Sequence, residues 1–234
     1  MLPYVIAELP VAFETEYPTL RRNSEKYRAD VRTAALLSYS PEEFEALRQT
    51  SPLLTDDLRD YMLIGKAFYY HLLRYNGLML HASAVVVEDA AYLFSAPSGT
   101  GKSTHTSLWL EYFGKRAFIL NDDKPAIRLF DDGVYAYGTP FSGKYDISAN
   151  VKVPLRGIAF IERSETNTIE RQTKDQALYN VLNQTARPAQ LDLYTKLLSS
   201  VGDLISRVNV YTLHCNISTD AVSVSYEEMR KGTT

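Results

Sequence analysis

One stretch constrains this 234-residue chain more than any other: Tyr92-Leu93-Phe94-Ser95-Ala96-Pro97-Ser98-Gly99-Thr100-Gly101-Lys102-Ser103-Thr104. An apolar run enters a Gly-rich turn and leaves it through Gly101-Lys102-Ser103-Thr104 into an expected helix over 103–113 that carries Leu108, Trp109, Leu110 and Tyr112. Glycines lack a Cβ and adopt positive φ freely, so the backbone at Gly99 and Gly101 can wrap an anion closely. The loop N–H groups and the start of the following helix add a cluster of donors with partial positive charge. Lys102 supplies a full charge for the terminal phosphates, and Ser103 a hydroxyl of the kind that binds Mg2+. The order strand, loop, helix is that of a phosphate-binding loop, with Ala96 where the common pattern has its first Gly. Ser98, Gly99, Thr100, Gly101, Lys102, Ser103 and Thr104 are therefore the candidate nucleotide-binding residues.

Composition narrows the class of protein. At 45% hydrophobic and 23% charged residues the chain is ordinary globular material, enough for one substantial core and a small appended lobe. The net charge is −3 and no basic run dominates, so nucleic acid is not an implied partner. A single cysteine, Cys215, excludes an intrachain disulfide and fits a reducing cytosol; in the run 208–215 it reads as a small core residue. Met1-Leu2-Pro3-Tyr4 lacks the charged start of a signal peptide, and no apolar run approaches the length of a membrane span, so a cytoplasmic location is expected.

Upstream, Tyr4–Ile6 and Pro10–Phe13 read as edge strands or extended arms. Ser40-Pro41-Glu42-Glu43 is a capping box, and Thr55 opens a longer helix to about Tyr75, with Leu58, Tyr61, Phe68, Leu72 and Tyr75 on one stripe. Asn76-Gly77 ends it, which divides the chain into an N-terminal lobe, 1–77, and a core, 78–234. Residues 78–87 read as one strand carrying His81, turned at Glu88-Asp89-Ala90 into the strand that feeds the loop.

Beyond the loop helix, Arg116-Ala117-Phe118-Ile119-Leu120-Asn121-Asp122-Asp123 is an apolar strand ending in carboxylates. A buried strand that delivers an Asp to a metal at its C-terminal edge is the usual second element of a nucleotide site. Successive side chains on a regular strand face opposite ways, so Asp122 and Asp123 can serve one site only if the chain leaves the pleat there. Lys124-Pro125 favours such an exit. Asp122 is the candidate metal ligand beside Ser103, Asp123 the candidate base, and His81 a group to orient the base or touch the γ-phosphate. Asp131-Asp132-Gly133 turns a hairpin, and 137–144 is a Gly-rich loop ending in Lys144 that reads equally as an anion contact or a plain connection. Further on come a strand over 151–162 broken at Pro154, a short strand at 168–172, and a capping box at Thr173. A second amphipathic helix follows Pro188; then come a strand at 209–215 with His214 as a core histidine, and a last helix opened by Ser225.

His81-Ala82, then Ser98-Gly99-Thr100-Gly101-Lys102-Ser103, then Asp122-Asp123 resembles, in order and spacing, the catalytic half of bacterial HPr kinase/phosphorylase. Asn121 to Pro125 and Tyr137 to Lys144 look more like divergent HPr-kinase-like serine kinases found with peptide-maturation genes, including those that phosphorylate lasso-peptide precursors. The resemblance covers about a third of the chain. It implies an α/β fold, the phosphate-loop kinase core related to phosphoenolpyruvate carboxykinase, here with a small N-terminal lobe that could contact substrate or partner. It implies ATP and Mg2+ as cofactors, and as partner a peptide or small protein with an acceptor serine, in a monomer or a homo-oligomer. Lys144 and Arg156 become candidate phosphate or acceptor contacts by their position near the matched core. Thr104 stands where HPr kinase has an acidic residue and residues 1–77 are unlike its N-terminal domain, which points away from HPr as substrate. A nucleotide-binding module without catalysis, and a kinase of free serine or another metabolite, are the alternatives.

Overall fold

A computed structural model describes residues 2–143 and 145–232. The chain opens with the hairpin β1 (Leu2–Ile6) and β2 (Leu9–Phe13), then α1 (Pro18–Ser24), β3 (Ala35–Leu36), α2 (Pro41–Thr50) and α3 (Asp56–Leu72). The second part runs β4 (Gly77–Met79), β5 (Ala82–Val87), β6 (Ala90–Ser95), α4 (Lys102–Phe113), β7 (Ala117–Asn121), β8 (Ala126–Phe130) and β9 (Gly133–Tyr137). It ends with β10 (Lys152–Arg163), β11 (Thr168–Arg171), α5 (Lys174–Asn183), α6 (Leu191–Arg207), β12 (Asn209–Cys215) and α7 (Thr219–Met229). The capping boxes at Ser40 and Thr173 form with both reciprocal bonds, and Asn76 takes the left-handed cap at φ 52°.

The fold is α/β. A mixed sheet orders its strands β4-β8-β9-β10-β6-β5-β7, with β12 on the other side of β10 and β11 beyond it. One face of the sheet carries α4 and α7, where Trp109 packs on Tyr92 and Phe94 at 5.0 and 5.2 Å. The other face carries α5 and α6, which bury Val181, Leu197, Val201 and Leu204. Period 3.6 on the helices against a sheet buried on both faces explains why β5 and β6 are buried throughout and read as mainly apolar runs, with Ser83 and Ser95 the exceptions. The loop strand β6 lies between antiparallel β5 and parallel β10, and β10 is parallel to β12. The carboxyl ends of β6, β10 and β12 thus open on one edge.

Of the two readings for Tyr4–Ile6 and Pro10–Phe13, both segments are strands, paired in a hairpin, and not extended arms. Tyr4, Ile6, Val11 and Phe13 are buried and share a core with Phe68, Leu72, Met79, Ala126 and Phe141. Leu58 and Tyr75 lie exposed at the two ends of the expected stripe. The strand expected over 78–87 is two strands broken at Leu80-His81. There the backbone donors leave the ladder: Leu80 N–H goes to the Pro125 carbonyl at 3.4 Å and His81 N–H to that of Gln184 at 2.7 Å. Conversely, β10 is not broken at Pro154. That residue is the last to pair with antiparallel β9, and a bulge between Leu155 and Gly157 then passes the strand to parallel β6, so the missing N–H falls where the partner changes. His214 is not a core residue: it is half-exposed between Glu162 at 3.4 Å and Glu170 at 3.6 Å. Ser225 lies inside α7, which starts after Ser218. Among the described residues no helix is long and apolar enough to cross a membrane.

The loop 138–150 folds over the carboxyl end of β7. Ala149 N–H bonds to the Leu120 carbonyl at 3.0 Å and Asp122 N–H to that of Ile147 at 3.1 Å. A Cβ at Gly138 would sit 1.9 Å from the Ala149 oxygen and 2.7 Å from that of Leu120, so only glycine lets these backbones meet. Gly138→Ala is expected to cost about 3 kcal/mol, near the upper end for overpacking, read as a lower urea midpoint with an unchanged slope.

Candidate active site

The loop between β6 and α4 has Gly99 at φ +76° and Gly101 at φ +124°, while a Cβ built on either meets nothing within 4 Å. Conformation, not space, therefore demands glycine at both. The turn is closed by Thr100 N–H to the Pro97 carbonyl at 3.3 Å. Arg163, at the end of β10, braces it from outside, donating to the Gly99 carbonyl at 2.6 Å and the Thr100 carbonyl at 3.1 Å. Lys102 is buried and donates to the Ala96 carbonyl at 2.9 Å. Burial lowers its pKa, and the charges of Asp123 and Asp122 partly offset that, so both carboxylates act on this ammonium.

Both carboxylates reach the loop because the chain leaves the strand at Asn121. The Asn121 side chain is fully buried; its oxygen accepts from Asp123 N–H at 3.1 Å and Lys124 N–H at 2.7 Å. Its amide nitrogen donates to the Thr139 carbonyl at 2.9 Å and lies 3.2 Å from the Thr139 hydroxyl. That hydroxyl and the Tyr69 hydroxyl donate to the Lys124 carbonyl at 2.8 and 2.7 Å. One asparagine thus ends β7, turns 122–124 out of the pleat and ties the turn to the overlying loop.

The two carboxylates then have different settings. Asp122 Oδ1 accepts from Ser83 at 2.6 Å; Ser83, having spent its one proton, accepts from Thr106 at 2.8 Å. Thr106 stands one turn after Ser103 on α4, so Asp122 is fastened to the phosphate-loop helix itself. Asp123 sits between two cations or donors: His81 Nε2 lies 3.4 Å from Oδ1, and Lys124 Nζ contacts Oδ2. Burial alone would raise the Asp123 pKa; His81 and Lys124 outweigh it and hold the carboxyl below its ordinary value of 3.8. Gln184 holds His81 twice, taking its backbone N–H and standing 3.0 Å from Nδ1, while Ser95 donates to the His81 carbonyl at 2.8 Å. The backbone of the overlying loop comes close too: a Cβ at Gly143 would lie 3.1 Å from Asp123 Cβ, and Gly143 N–H bonds to Tyr61 on α3 at 3.1 Å.

A cavity of about 450 Å3 collects these groups: its walls include His81, Lys102, Ser103, Asp122, Asp123 and Gly143. Ser98, Gly99, Gly101 and Thr104 complete the loop side. Of the nucleotide-loop residues, Thr100 lies outside this cavity and borders its neighbours. Arg156 is not brought to it. It stands at the bulge where β10 pairs with the start of β6, beside Tyr92 and Gly232, so a whole strand length separates it from the loop. Lys144 lies outside the described residues. A larger cavity, of about 860 Å3, lies elsewhere, beside the N-terminal hairpin between Tyr4, Phe13, Tyr39 and Arg21, and size alone does not identify the site. Sequence reasoning passed over Ser83, Thr106, Arg163 and Gln184, and named Asn121 and Lys124 only as part of the run 121–125, with no site role. A Ser amid Val and Ala in β5, and a Thr one turn beyond the loop serine, were visible signals; Gln184, about a hundred residues from its partner, left none.

The donor set suits Mg2+. Ser103 and Asp122 offer hard oxygens, and Ser103 is exposed. Among the described residues no three His, Cys, Asp or Glu side chains are grouped to chelate a metal by themselves. Mg2+ keeps several waters and phosphate oxygens and takes one or two protein ligands, the number that Ser103 and Asp122 make.

Asn121→Ala leaves the partly buried N–H groups of Asp123 and Lys124 and the buried Thr139 carbonyl without their partner. The expected loss is about 2–4 kcal/mol of stability, one to two unsatisfied groups' worth, measured by urea unfolding.

Comparison with known proteins adds little. No protein-family profile matches the chain, and no curated protein matches it in sequence. Among solved structures it is similar to the HPr(Ser) kinase/phosphatase from Coxiella burnetii, at 10% identity and a TM-score of 0.38, over 65% of this chain and 97% of that one.

Proposed function

We propose that this chain is an ATP- and Mg2+-dependent kinase that transfers the γ-phosphate to a serine hydroxyl of a peptide or small protein. One observation carries the reading: Lys102, Ser103, Asp122 and Asp123 wall the same cavity. Phosphoryl transfer asks a protein for positioning and for charge at the transferred group, and those residues supply both. The loop N–H groups and Lys102 hold the terminal phosphates. Ser103 and Asp122 would hold Mg2+, which when bound neutralises charge on the phosphate oxygens. A serine hydroxyl placed against Asp123 attacks the γ-phosphorus in line; the new O–P bond forms as the bond to the β-bridging oxygen breaks, and Asp123 takes the hydroxyl proton. His81, held by Gln184, fixes the Asp123 carboxylate.

A peptide acceptor suits the surroundings, as does the sequence resemblance to peptide-modifying kinases. The loop 139–150 beside the cavity is braced by the N-terminal lobe: Asn23 donates to the Pro140 carbonyl at 3.3 Å, Lys26 to that of Ser148 at 3.0 Å, and Tyr27 to the Ser148 hydroxyl at 3.2 Å. The single buried cysteine suits a reducing cytosol.

With ATP, Mg2+ and serine-bearing peptides, above all one encoded beside the gene, the protein is expected to add one phosphate by mass. Asp123→Asn is expected to lower kcat by about a hundredfold or more, the usual contribution of a general base. Transfer undiminished in that variant, or ATP bound with no transfer to peptides or free serine, contradicts the reading.

The pH dependence follows from the setting of Asp123. Its folded pKa is depressed, so the carboxylate is present at neutral pH and activity that needs it is lost only as pH falls through that lowered value. Lys124→Met removes one of the groups holding it down, so the acid limb of kcat/KM is expected to move to higher pH. An acid limb unmoved in that variant removes Asp123 as the titrating group.

A further inference from the structure

Arg163 touches the Gly-rich loop yet stays out of the cavity in which Lys102, Asp122 and Asp123 meet: it borders two neighbouring cavities and not that one. Its place follows from strand lengths. β6 ends at Ser95, which pairs with Phe160, and β10 runs on to Arg163. β12 keeps that overhang in register, with Arg163 opposite Cys215 and Ser164 N–H bonded to the Cys215 carbonyl at 3.0 Å. The exposed arginine therefore stands alongside the loop into which β6 turns.

We propose that Arg163 is a positioning residue for the nucleotide's phosphates: it holds the Gly-rich loop from outside with peptide N–H groups directed away from itself and toward the ligand. The inference rests on the kinase reading above and adds a residue that acts on the phosphates through the loop without touching them.

Three observations carry it. The first is direction. In a trans peptide unit the carbonyl and the N–H point opposite ways. Arg163 holds the Gly99 carbonyl with Nη2 at 2.6 Å and the Thr100 carbonyl with Nε at 3.1 Å, so the N–H groups of Thr100 and Gly101 point away from the guanidinium. Thr100 N–H closes the turn onto the Pro97 carbonyl. That leaves the Gly101 N–H, at the wall of the carboxylate cavity, for an anion. The second is what else holds the turn. Both loop glycines have positive φ, and a Cβ built on either meets nothing within 4 Å, so no neighbour packs there to hold a backbone that glycine leaves free. Lys102 ties the loop at the Ala96 carbonyl, but its ammonium is the charge that phosphates draw. Arg163 is a tie for which the ligand does not compete. The third is the shape of the donor. One planar guanidinium spans two successive carbonyls with two N–H groups, whereas an ammonium is a compact point charge on a flexible stem and fixes no such pair. A turn ordered beforehand spares the ligand the cost of ordering it.

The test separates this bidentate hold from the plain attraction of a cation. Mg-ATP and Mg-tripolyphosphate are titrated calorimetrically into the wild type, Arg163→Lys and Arg163→Met, at about 0.05 M and about 0.5 M salt, the second of which largely screens exposed charges from one another. Both variants are expected to bind both ligands at least about tenfold more weakly than the wild type, the scale of losing hydrogen bonds made by a charged group. The ratio is expected to persist at the higher salt. Urea midpoints near that of the wild type are expected, because the side chain is exposed. Should Arg163→Met not fold, Arg163→Lys decides alone. Wild-type affinity in Arg163→Lys, or a loss that disappears at high salt, assigns the effect to charge and overturns the proposal. Unchanged affinity in Arg163→Met overturns it too, as does a loss confined to ATP, which would put Arg163 at work on another part of the nucleotide. A wild type that binds neither ligand instead overturns the kinase reading on which the inference rests.

Discussion

A strand alternates its side chains, and that alternation is the constraint around which this protein is arranged. Two neighbouring carboxylates on a regular β7 would face opposite sides of the sheet. The Asn121 side chain removes the conflict by taking the N–H groups of Asp123 and Lys124 onto its own oxygen and ending the ladder one residue before the acids. Its other end is bonded to Thr139, and Thr139 to the Lys124 carbonyl, so the turn and the loop over it are one buried polar unit. Such a unit is stable only when every member is satisfied, and this one leaves none of the named groups open. The same unit carries the glycine at 138, where two backbones meet across the missing Cβ.

From that turn the two acids acquire unlike roles through unlike neighbours. Asp122 is held by two hydroxyls, Ser83 and Thr106, the second on the helix that begins with Lys102. Any displacement of the loop helix is therefore felt at Asp122. Asp123 is held by a histidine and a lysine, which stabilise its charged form by more than burial disfavours it. A carboxylate so stabilised is a weak base in the resting protein. On the kinase reading proposed above, the hydroxyl proton leaves late in a loose phosphoryl-transfer transition state, and a weak base in the right place is sufficient. Lys124 thus sets a balance between keeping Asp123 ionised and keeping it basic.

The conformation of the Gly-rich loop was legible in the sequence because its residues serve local needs: positive φ at two glycines and a helix start. The capping boxes and the hairpin at Asp131-Asp132-Gly133 were legible for the same reason. The exit of the chain at Asn121 was foreseen as a requirement, though it was ascribed to Pro125 and not to the asparagine that performs it. What stayed hidden depends on contacts between distant segments. The break at Leu80-His81 exists because Pro125 and Gln184 offer carbonyls there. Pro154 is tolerated because β10 changes partners beside it. Arg156 seemed near the site in sequence, but in a parallel sheet the two ends of one strand open on opposite edges, and it stands at the wrong end; Arg163, seven residues on, stands at the right one.

The account stands on the convergence of Lys102, Ser103, Asp122 and Asp123 upon one terminal phosphate. The most direct measurement is a crystal structure of the protein with a non-hydrolysable ATP analogue and Mn2+ in place of Mg2+, the metal located by its anomalous scattering. The account predicts a metal peak against Asp122 and the Ser103 hydroxyl, with the γ-phosphate touching Lys102 and turned toward Asp123. A metal or γ-phosphate bound away from these carboxylates would contradict it.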